Sequence, residues 1–196
     1  KIITNLIATA GVPMIFGADD AEAVAPGSDK YRYFNSAFLL DARGRVVSDY
    51  RKRKLVIFGE YVPLTRWLPF LRYLTPIEGG FTPGDKPGEF RLDRPYARIA
   101  PLICFEDVFP HVVPDCVTPD TDFLLNLTNN GWFGEGSAQW QHGTIAAFRA
   151  VENGVPLVRC TKDGLSCWID EFGGLHDVYF AGSQDIYRAG IKLVRV

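Results

Sequence analysis

The feature that most constrains the fold is a set of short runs in which nearly every residue is apolar. They cover residues 97–104, 123–128 and 155–160. A strand that is buried on both faces reads as a continuous apolar run, whereas a strand with one solvated face alternates apolar and polar residues. With few helical stretches beside them, these runs predict an α/β fold in which two sheets form a sandwich faced by helices.

Turn and cap residues define the first half of the chain. Gly11 is expected to end a helix over residues 5–10, and a buried strand should follow at 12–17. A polar loop is predicted at 21–30. The turn chemistry of residues 41–44 predicts a hairpin between strands at 33–40 and 45–52.

One longer helix is predicted in the second half. Ser137 is a candidate N-cap, Gly154 closes the segment, and an apolar stripe is formed by Trp140, Ile145, Phe148 and Val151. Three further strands are predicted at residues 165–170, 175–180 and 191–196.

Composition sets the class of protein. The 196 residues fit one domain, 1–196, and 47% hydrophobic with 22% charged residues is typical of a globular chain. A net charge of −2 does not favour binding to nucleic acid. The basic run at residues 51–54 lies between apolar segments and is interpreted as a partly exposed strand end. Because the sequence opens on Lys1 inside an apparent helix, it is expected to be part of a longer protein.

The cysteines do not predict a metal site. They fall at positions 104, 116, 160 and 167, without the spacing of a zinc knuckle or redox motif, and the three histidines are scattered. A chain of this size does not need disulfide staples. Cys160 and Cys167 lie in apolar runs and are expected to be small core residues.

A long irregular segment covers residues 61–87, where prolines and glycines interrupt any regular element. Loops of this length are usually functional. It carries an apolar cluster that suits a membrane interface better than a core, although packing on the domain is the alternative. The cluster consists of Trp67, Leu68, Phe70, Leu71, Tyr73 and Leu74.

Cys104 stands at the end of a predicted buried strand, where sheet enzymes expose a nucleophile. Its position alone also fits a core cysteine. A reactive thiol needs a base or cation nearby. His111, His142 and His176 are each interpreted as surface or capping residues. Lys52 is the better candidate, because an ammonium can stabilise a thiolate and an oxyanion, although a solvated strand lysine is the alternative.

Several segments together resemble the apolipoprotein N-acyltransferases of the nitrilase superfamily. Residues 50–63 (YRKRKLVIFGEYVP) resemble the lysine segment of that family, and residues 103–106 (ICFE) its nucleophile segment. Residues 120–134 and Trp140-Gln141-His142 resemble the loop and helix that follow, and 149–152 with 156–159 continue the match. The segments occur in the family's order over nearly the whole chain.

The resemblance implies a four-layer αββα sandwich of the nitrilase type, incomplete at the N-terminus, with a glutamate, lysine and cysteine triad. By position the nucleophile is Cys104 and the lysine is Lys52. The glutamate would precede the strand at residues 12–17, upstream of Lys1, so the chain by itself is expected to be inactive. Further residues implied to support activity are Glu60, Phe105, Glu106 and Trp132.

Two positions depart from the family pattern. Ile57 replaces a common proline, and Phe105 stands where a tyrosine is common, so a hydroxyl is missing beside the nucleophile. If that hydroxyl contributes to the oxyanion site, turnover is reduced.

The implied reaction moves a fatty acyl chain from a phospholipid, through a thioester, to the N-terminal cysteine amine of a diacylglyceryl-modified lipoprotein. The resemblance implies no cofactor or metal, and a bacterial inner-membrane protein with this domain on the periplasmic face. The segment 61–87 would be its lid. The alternatives are a soluble cytoplasmic carbon–nitrogen hydrolase that cleaves a small amide, and an inactive domain retained for binding.

Overall fold

A computed structural model describes residues 2–65, 67–68, 70, 80–180 and 182–195. The chain divides into two compact units, Lys1–Pro87 and Gly88–Val196. The candidate residues Leu71, Tyr73 and Leu74 lie outside the described residues. Among the described residues, no helix is long and apolar enough to cross a membrane.

The described part of the first unit contains the helix α1 and an antiparallel sheet of order β1-β2-β3. The predicted hairpin is confirmed: the Gly44 amide donates to the Asp41 carbonyl at 2.8 Å, and Gly44 takes a positive φ of 75° in this turn. Gly11 ends the helix, and its amide donates to the Ile7 carbonyl at 2.8 Å. The elements are α1 (Ile2–Ala10), β1 (Met14–Ala23), β2 (Tyr31–Leu40) and β3 (Val46–Arg51).

The predicted buried strand at 12–17 and the polar loop at 21–30 need correction. The strand β1 continues to Ala23, and its residues are half-buried or exposed. It pairs with β2 along its whole length, from Met14 opposite Leu40 to Ala23 opposite Tyr31. Backbone pairing at the margin of the three-stranded sheet, rather than burial of its side chains, keeps this segment extended.

The second unit contains a six-stranded sheet of order β4-β5-β6-β7-β8-β9. Its central strands β5, β6 and β7 are parallel, and the outer pairs are antiparallel. The continuous apolar runs form these central strands, as predicted. The elements are β4 (Phe90–Asp93), β5 (Tyr96–Ile103), β6 (Phe123–Asn129), α2 (Ser137–Asn153), β7 (Leu157–Lys162), β8 (Cys167–Ile169) and β9 (Leu175–His176), with 3-10 helices at Cys104–Val108, Pro114–Cys116 and Gly131–Phe133.

The helix α2 forms where predicted, but its buried face is a different one. Trp140, Phe148 and Val151 are 40%, 57% and 49% exposed. The buried face carries small and polar residues, because small side chains let the helix approach β7 and the 3-10 helix at 104–108. Ser137 is the first helical residue and Gly136 is the N-cap, so the predicted serine cap is wrong, whereas Gly154 closes the helix with φ 61°.

The core of the second unit lies between α2 and the sheet. Buried residues there include Leu102 on β5, Leu124 on β6 and Leu157 on β7. The predicted strand at 191–196 is wrong, since residues 191–195 form no strand and Ile191 is 92% exposed.

Candidate active site

Cys104 lies where β5 ends at the carboxyl edge of the parallel strands. It is the first residue of the 3-10 helix at Cys104–Val108 and has φ 51°. A non-glycine residue in this left-handed region costs about 1–3 kcal/mol, and such strain concentrates at functional positions. The thiol is half-buried. The backbone therefore turns sharply at Cys104 and presents its side chain at the edge of the sheet.

The other cysteines of this unit differ from Cys104. Cys167 is buried, as predicted, and burial raises the pKa of its thiol to about 11, which keeps it protonated and unreactive at neutral pH. Cys116 is also buried. Cys160 is exposed on β7, which corrects its predicted place in the core, because side chains alternate along the strand and Arg159 takes the inward position.

Glu106 closes the turn that follows Cys104. Its carboxylate accepts a 2.8 Å hydrogen bond from the amide of Ile103, the N-cap of the 3-10 helix. This is the reciprocal half of a capping box. Because Glu106 is fully buried, its carboxylate holds Ile103, the residue before the nucleophile, in a fixed position.

Asn126 on β6 connects Cys104 to a buried carboxylate. Its Nδ2 donates to the Cys104 carbonyl at 3.0 Å and to Asp107 Oδ2 at 3.1 Å. Asp107 also pairs with Arg159 Nη1 at 2.8 Å, and all three side chains are 2% exposed or less. The backbone of the candidate nucleophile is thus held by a polar network inside the core.

His142 belongs to this network. It is 7% exposed, and its Nε2 donates to Asp107 Oδ1 at 2.7 Å. Its Nδ1 lies 3.2 Å from Asn130 Oδ1. The interpretation of His142 as a surface or capping residue is therefore wrong, because the register of α2 turns it inward. His176, in contrast, is exposed and pairs with Asp170 at 2.6 Å.

Lys52 directly follows β3 in the first unit and is 1% exposed, which rules out the solvated strand lysine. Its amide donates to the Asn35 carbonyl, and its carbonyl accepts from the Gly84 amide, both at 2.8 Å. Its Nζ donates to Glu60 Oε2 at 2.6 Å. Glu60 also accepts from Asn35 Nδ2 and from the Val56 amide, each at 2.8 Å. A buried ammonium is therefore held in one orientation by a carboxylate that is itself fixed by two other donors.

Two aromatic residues of the predicted site lie in the second unit. The Phe105 ring lies 5.8 Å from the ring of Phe109 and 6.2 Å from that of His142. Trp132 is 79% exposed in the short helix Gly131–Phe133, directly after β6. Since β5 and β6 are parallel, Cys104 and Trp132 emerge at the same edge of the sheet.

The described part of the segment 61–87 is turn-rich and apolar at its surface. Its pairing consists of isolated bridges, Phe81 with Tyr33 and Tyr61 with Ile57. Trp67 is 78% exposed, Leu68 41% and Phe70 58%. These side chains are not buried in the core of the first unit, which leaves them available to an apolar partner.

Metal ligands do not cluster in the described ranges: no group of three or more His, Cys, Asp or Glu residues there is arranged to hold an ion. The second unit offers a half-buried thiol at Cys104, and the first unit offers a buried ammonium at Lys52.

Comparison with known proteins assigns the family. Residues 1–181 match the carbon–nitrogen hydrolase family. The chain belongs to this family. An apolipoprotein N-acyltransferase of Geobacter metallireducens is 43% identical over 165 residues, which are 84% of this chain and 31% of that protein. The apolipoprotein N-acyltransferase of Rhodopseudomonas palustris is 34% identical over 184 residues, covering 92% of this chain and 34% of the relative. The chain therefore spans about a third of the length of these curated relatives.

Solved structures of the superfamily share the fold. An amidase from Nesterenkonia sp. AN1 superposes with a TM-score of 0.62 at 19% sequence identity, over 89% of this chain and 61% of the amidase. A mutant of that amidase in complex with butyramide gives a TM-score of 0.63 at 19% identity, over 89% and 59% of the two chains. The predicted α/β fold of the nitrilase type is confirmed, with two sheets and few helices.

The sequence patterns do not predict the buried network around Asp107, although two residues signal it. Asn126 and Arg159 interrupt apolar runs that form central strands. A polar residue at an inward position of a buried strand must have a partner, and each of these contacts Asp107.

Proposed function

We propose that this chain is the catalytic domain of an acyltransferase that moves a fatty acyl chain from a phospholipid to the N-terminal cysteine amine of a diacylglyceryl-modified lipoprotein. The observation that carries the proposal is the 43% identity to an apolipoprotein N-acyltransferase over 84% of the chain. The chemistry also supports the proposal, because Cys104 is strained and half-buried at the edge of the sheet, as a nucleophile would be.

In the proposed first half-reaction, the Cys104 thiolate attacks the ester carbonyl of the phospholipid. The carbonyl π electrons move to oxygen, and Lys52 with a backbone amide stabilises the oxyanion. One such donor contributes about 3–4 kcal/mol to the transition state. Collapse of the tetrahedral intermediate breaks the ester C–O bond, and the lysophospholipid leaves with the proton that the proposed base took from the Cys104 thiol. The acyl group remains on Cys104 as a thioester.

In the second half-reaction, the lipoprotein amine attacks the thioester carbonyl. The C–S bond breaks, an amide forms, and the amine proton returns to the Cys104 sulfur through the base. Water must be excluded, because it would otherwise hydrolyse the thioester.

The proposed general base is a glutamate that the family resemblance places before Gly11, at a position absent from these 196 residues. Glu60 and Glu106 are poor candidates for this task. The first is engaged with Lys52 and the second with the Ile103 amide. We propose positioning roles for both, Glu60 on the lysine and Glu106 on the nucleophile turn. The isolated chain would then hold the nucleophile without turning over.

The exposed apolar side chains of segment 61–87 are proposed to contact the acyl chains of the substrate as a lid. Trp67 and Phe70 support this, because large aromatic side chains on a turn-rich segment suit a lipid interface. We propose, as the family resemblance implies, that the full-length protein lies at the bacterial inner membrane with this domain on the periplasmic face.

The proposal is tested by replacing Cys104 with alanine in the full-length protein. Purified protein is incubated with phospholipid vesicles and a diacylglyceryl-modified lipopeptide, and mass spectrometry follows the gain of one acyl chain on the peptide amine. The wild type should acylate the peptide, and the variant should not. Equal acylation by both would exclude Cys104 as the nucleophile. Release of free fatty acid without peptide acylation would indicate a hydrolase instead.

A further inference from the structure

The buried network below Cys104 contains groups that the proposed reaction does not use. Asp107 is three residues after the nucleophile in the same 3-10 helix, yet its carboxylate points into the core and is fully buried. A buried carboxylate is costly unless it is paired and hydrogen-bonded. Asp107 has both kinds of partner, with Arg159 at 2.8 Å and His142 at 2.7 Å.

Asn126 is the only member of this network for which a hydrogen bond to the Cys104 backbone is described, at 3.0 Å from Nδ2 to the carbonyl. The same nitrogen is held by Asp107 at 3.1 Å, and Asn126 Oδ1 accepts from Arg159 Nη1 at 3.4 Å. Both ends of the amide are therefore fixed, so Asn126 cannot rotate away from Cys104 without losing charge-assisted partners.

The backbone that Asn126 holds is the strained one. Cys104 keeps φ 51° only if its surroundings compensate the cost of a left-handed cysteine. The hydrogen bond to its carbonyl is one such compensation. The Glu106 carboxylate accepts a hydrogen bond from the amide of Ile103, the residue before Cys104.

Arg159 indicates that this network is not simply core packing. It is fully buried, and its Nε and Nη2 have no hydrogen-bond partner among the described residues. An apolar residue would fill the space without that cost. Its presence is explained if the Asp107 carboxylate needs a cationic partner while it holds Asn126 and His142.

We propose that Asn126 is a positioning residue for the nucleophile: with Asp107, His142 and Arg159 it holds the Cys104 backbone in the left-handed conformation that aims the thiol. This inference rests on the proposed role of Cys104. The network acts by fixing the direction of the thiol, and a displacement of the order of 1 Å can cost about 100-fold in rate.

The test uses Asn126→Leu in the full-length protein, a change that keeps the branched shape of the side chain and removes the donor. Leu124→Val is the matched control, because Leu124 is equally buried on the same face of β6 but contacts the core rather than Cys104. Four quantities are measured: the unfolding midpoint, kcat and KM for acyl transfer, and the iodoacetamide alkylation rate of Cys104. The exposed Cys160 serves as an internal reference for alkylation.

The expected result is at least a tenfold fall in both kcat and the Cys104 alkylation rate in Asn126→Leu, with KM and Cys160 alkylation unchanged. Leu124→Val should keep both rates at a comparable unfolding midpoint. If Asn126→Leu keeps both rates, or if Leu124→Val loses as much, the positioning role is wrong.

A second pair of variants tests the network at a distance from Cys104. His142→Gln keeps an N–H directed at Asp107, whereas His142→Leu removes it. Rescue of the Cys104 alkylation rate by glutamine relative to leucine is expected, and equal loss in both would contradict the proposal. Alkylation does not depend on an acyl donor, so a protein that lacks acyl transfer but shows these differences would overturn the proposed function and leave the positioning role intact.

Discussion

Replacing Glu60 with glutamine tests how Lys52 is held. Glu60→Gln preserves the shape of the side chain but removes the negative charge that faces Lys52 Nζ at 2.6 Å. Lys52 is 1% exposed, so its ammonium would remain in the core without a counterion. Removing one partner of a buried ion pair typically costs about 3–5 kcal/mol.

This cost can be read as a shift of the unfolding midpoint. For a domain of about 200 residues, 1 kcal/mol corresponds to about 2–4 °C, which predicts a fall of about 6–20 °C for Glu60→Gln. The matched control is Asp120→Asn, which removes a carboxylate from the solvent-exposed Arg98 pair and should cost less than about 1 kcal/mol. Differential scanning fluorimetry of the two variants measures the difference.

A double variant separates charge from packing. In Lys52→Met with Glu60→Gln, the unpaired ammonium is gone, so much of the stability should return, whereas acyl transfer should not. If the unfolding midpoint of Glu60→Gln falls no further than that of Asp120→Asn, the account of Lys52 is refuted. The Lys52–Glu60 pair would then contribute no more to stability than a surface ion pair.

Four further predictions follow from particular residues. Iodoacetamide at pH 8 should leave Cys167 unmodified in the folded protein, because burial raises the pKa of its thiol to about 11; labelling at the rate of an unfolded cysteine would contradict this. The pKa of the Cys167 thiol is higher in the folded than in the unfolded protein, so the thiol contributes fully to stability below about pH 9. Between about pH 9 and 11 the free energy of unfolding should fall by about 2–3 kcal/mol, and Cys167→Ala should abolish this fall. Gly84→Ala should lower the unfolding midpoint and the acyl-transfer rate, because the added Cβ would lie 2.3 Å from the Arg51 carbonyl oxygen, next to Lys52. An unchanged midpoint would contradict this, because the backbone at the end of β3 would then shift without cost. Replacing Trp67 and Phe70 together with serine should weaken the use of phospholipid with the unfolding midpoint unchanged, and unaltered lipid kinetics would remove the proposed lid.

Local rules explain what could be predicted from the sequence. The hairpin β2–β3 follows from turn chemistry at residues 41–44, and the end of α2 follows from Gly154. The parallel strands β5, β6 and β7 follow from continuous apolar runs, which need cover on both faces. Each of these signals lies within the segment that it specifies.

Long-range pairing explains what could not be predicted. Asp107 meets His142 and Arg159 from 35 and 52 residues away, and no local pattern encodes those pairs. The predicted buried face of α2 is wrong for a related reason. Close packing favoured Ala146 and Ala150 at the core and left Phe148 outside, although Phe148 is the more hydrophobic side chain.

The acyl-enzyme itself is the most direct test of the central claim. The full-length protein is incubated with phospholipid vesicles and no acceptor, then digested and analysed by mass spectrometry. We predict a peptide in which Cys104 carries one fatty acyl group that neutral hydroxylamine removes and that Cys104→Ala lacks. An acyl group on another residue, or none on Cys104 in protein that acylates lipopeptide, would contradict the account.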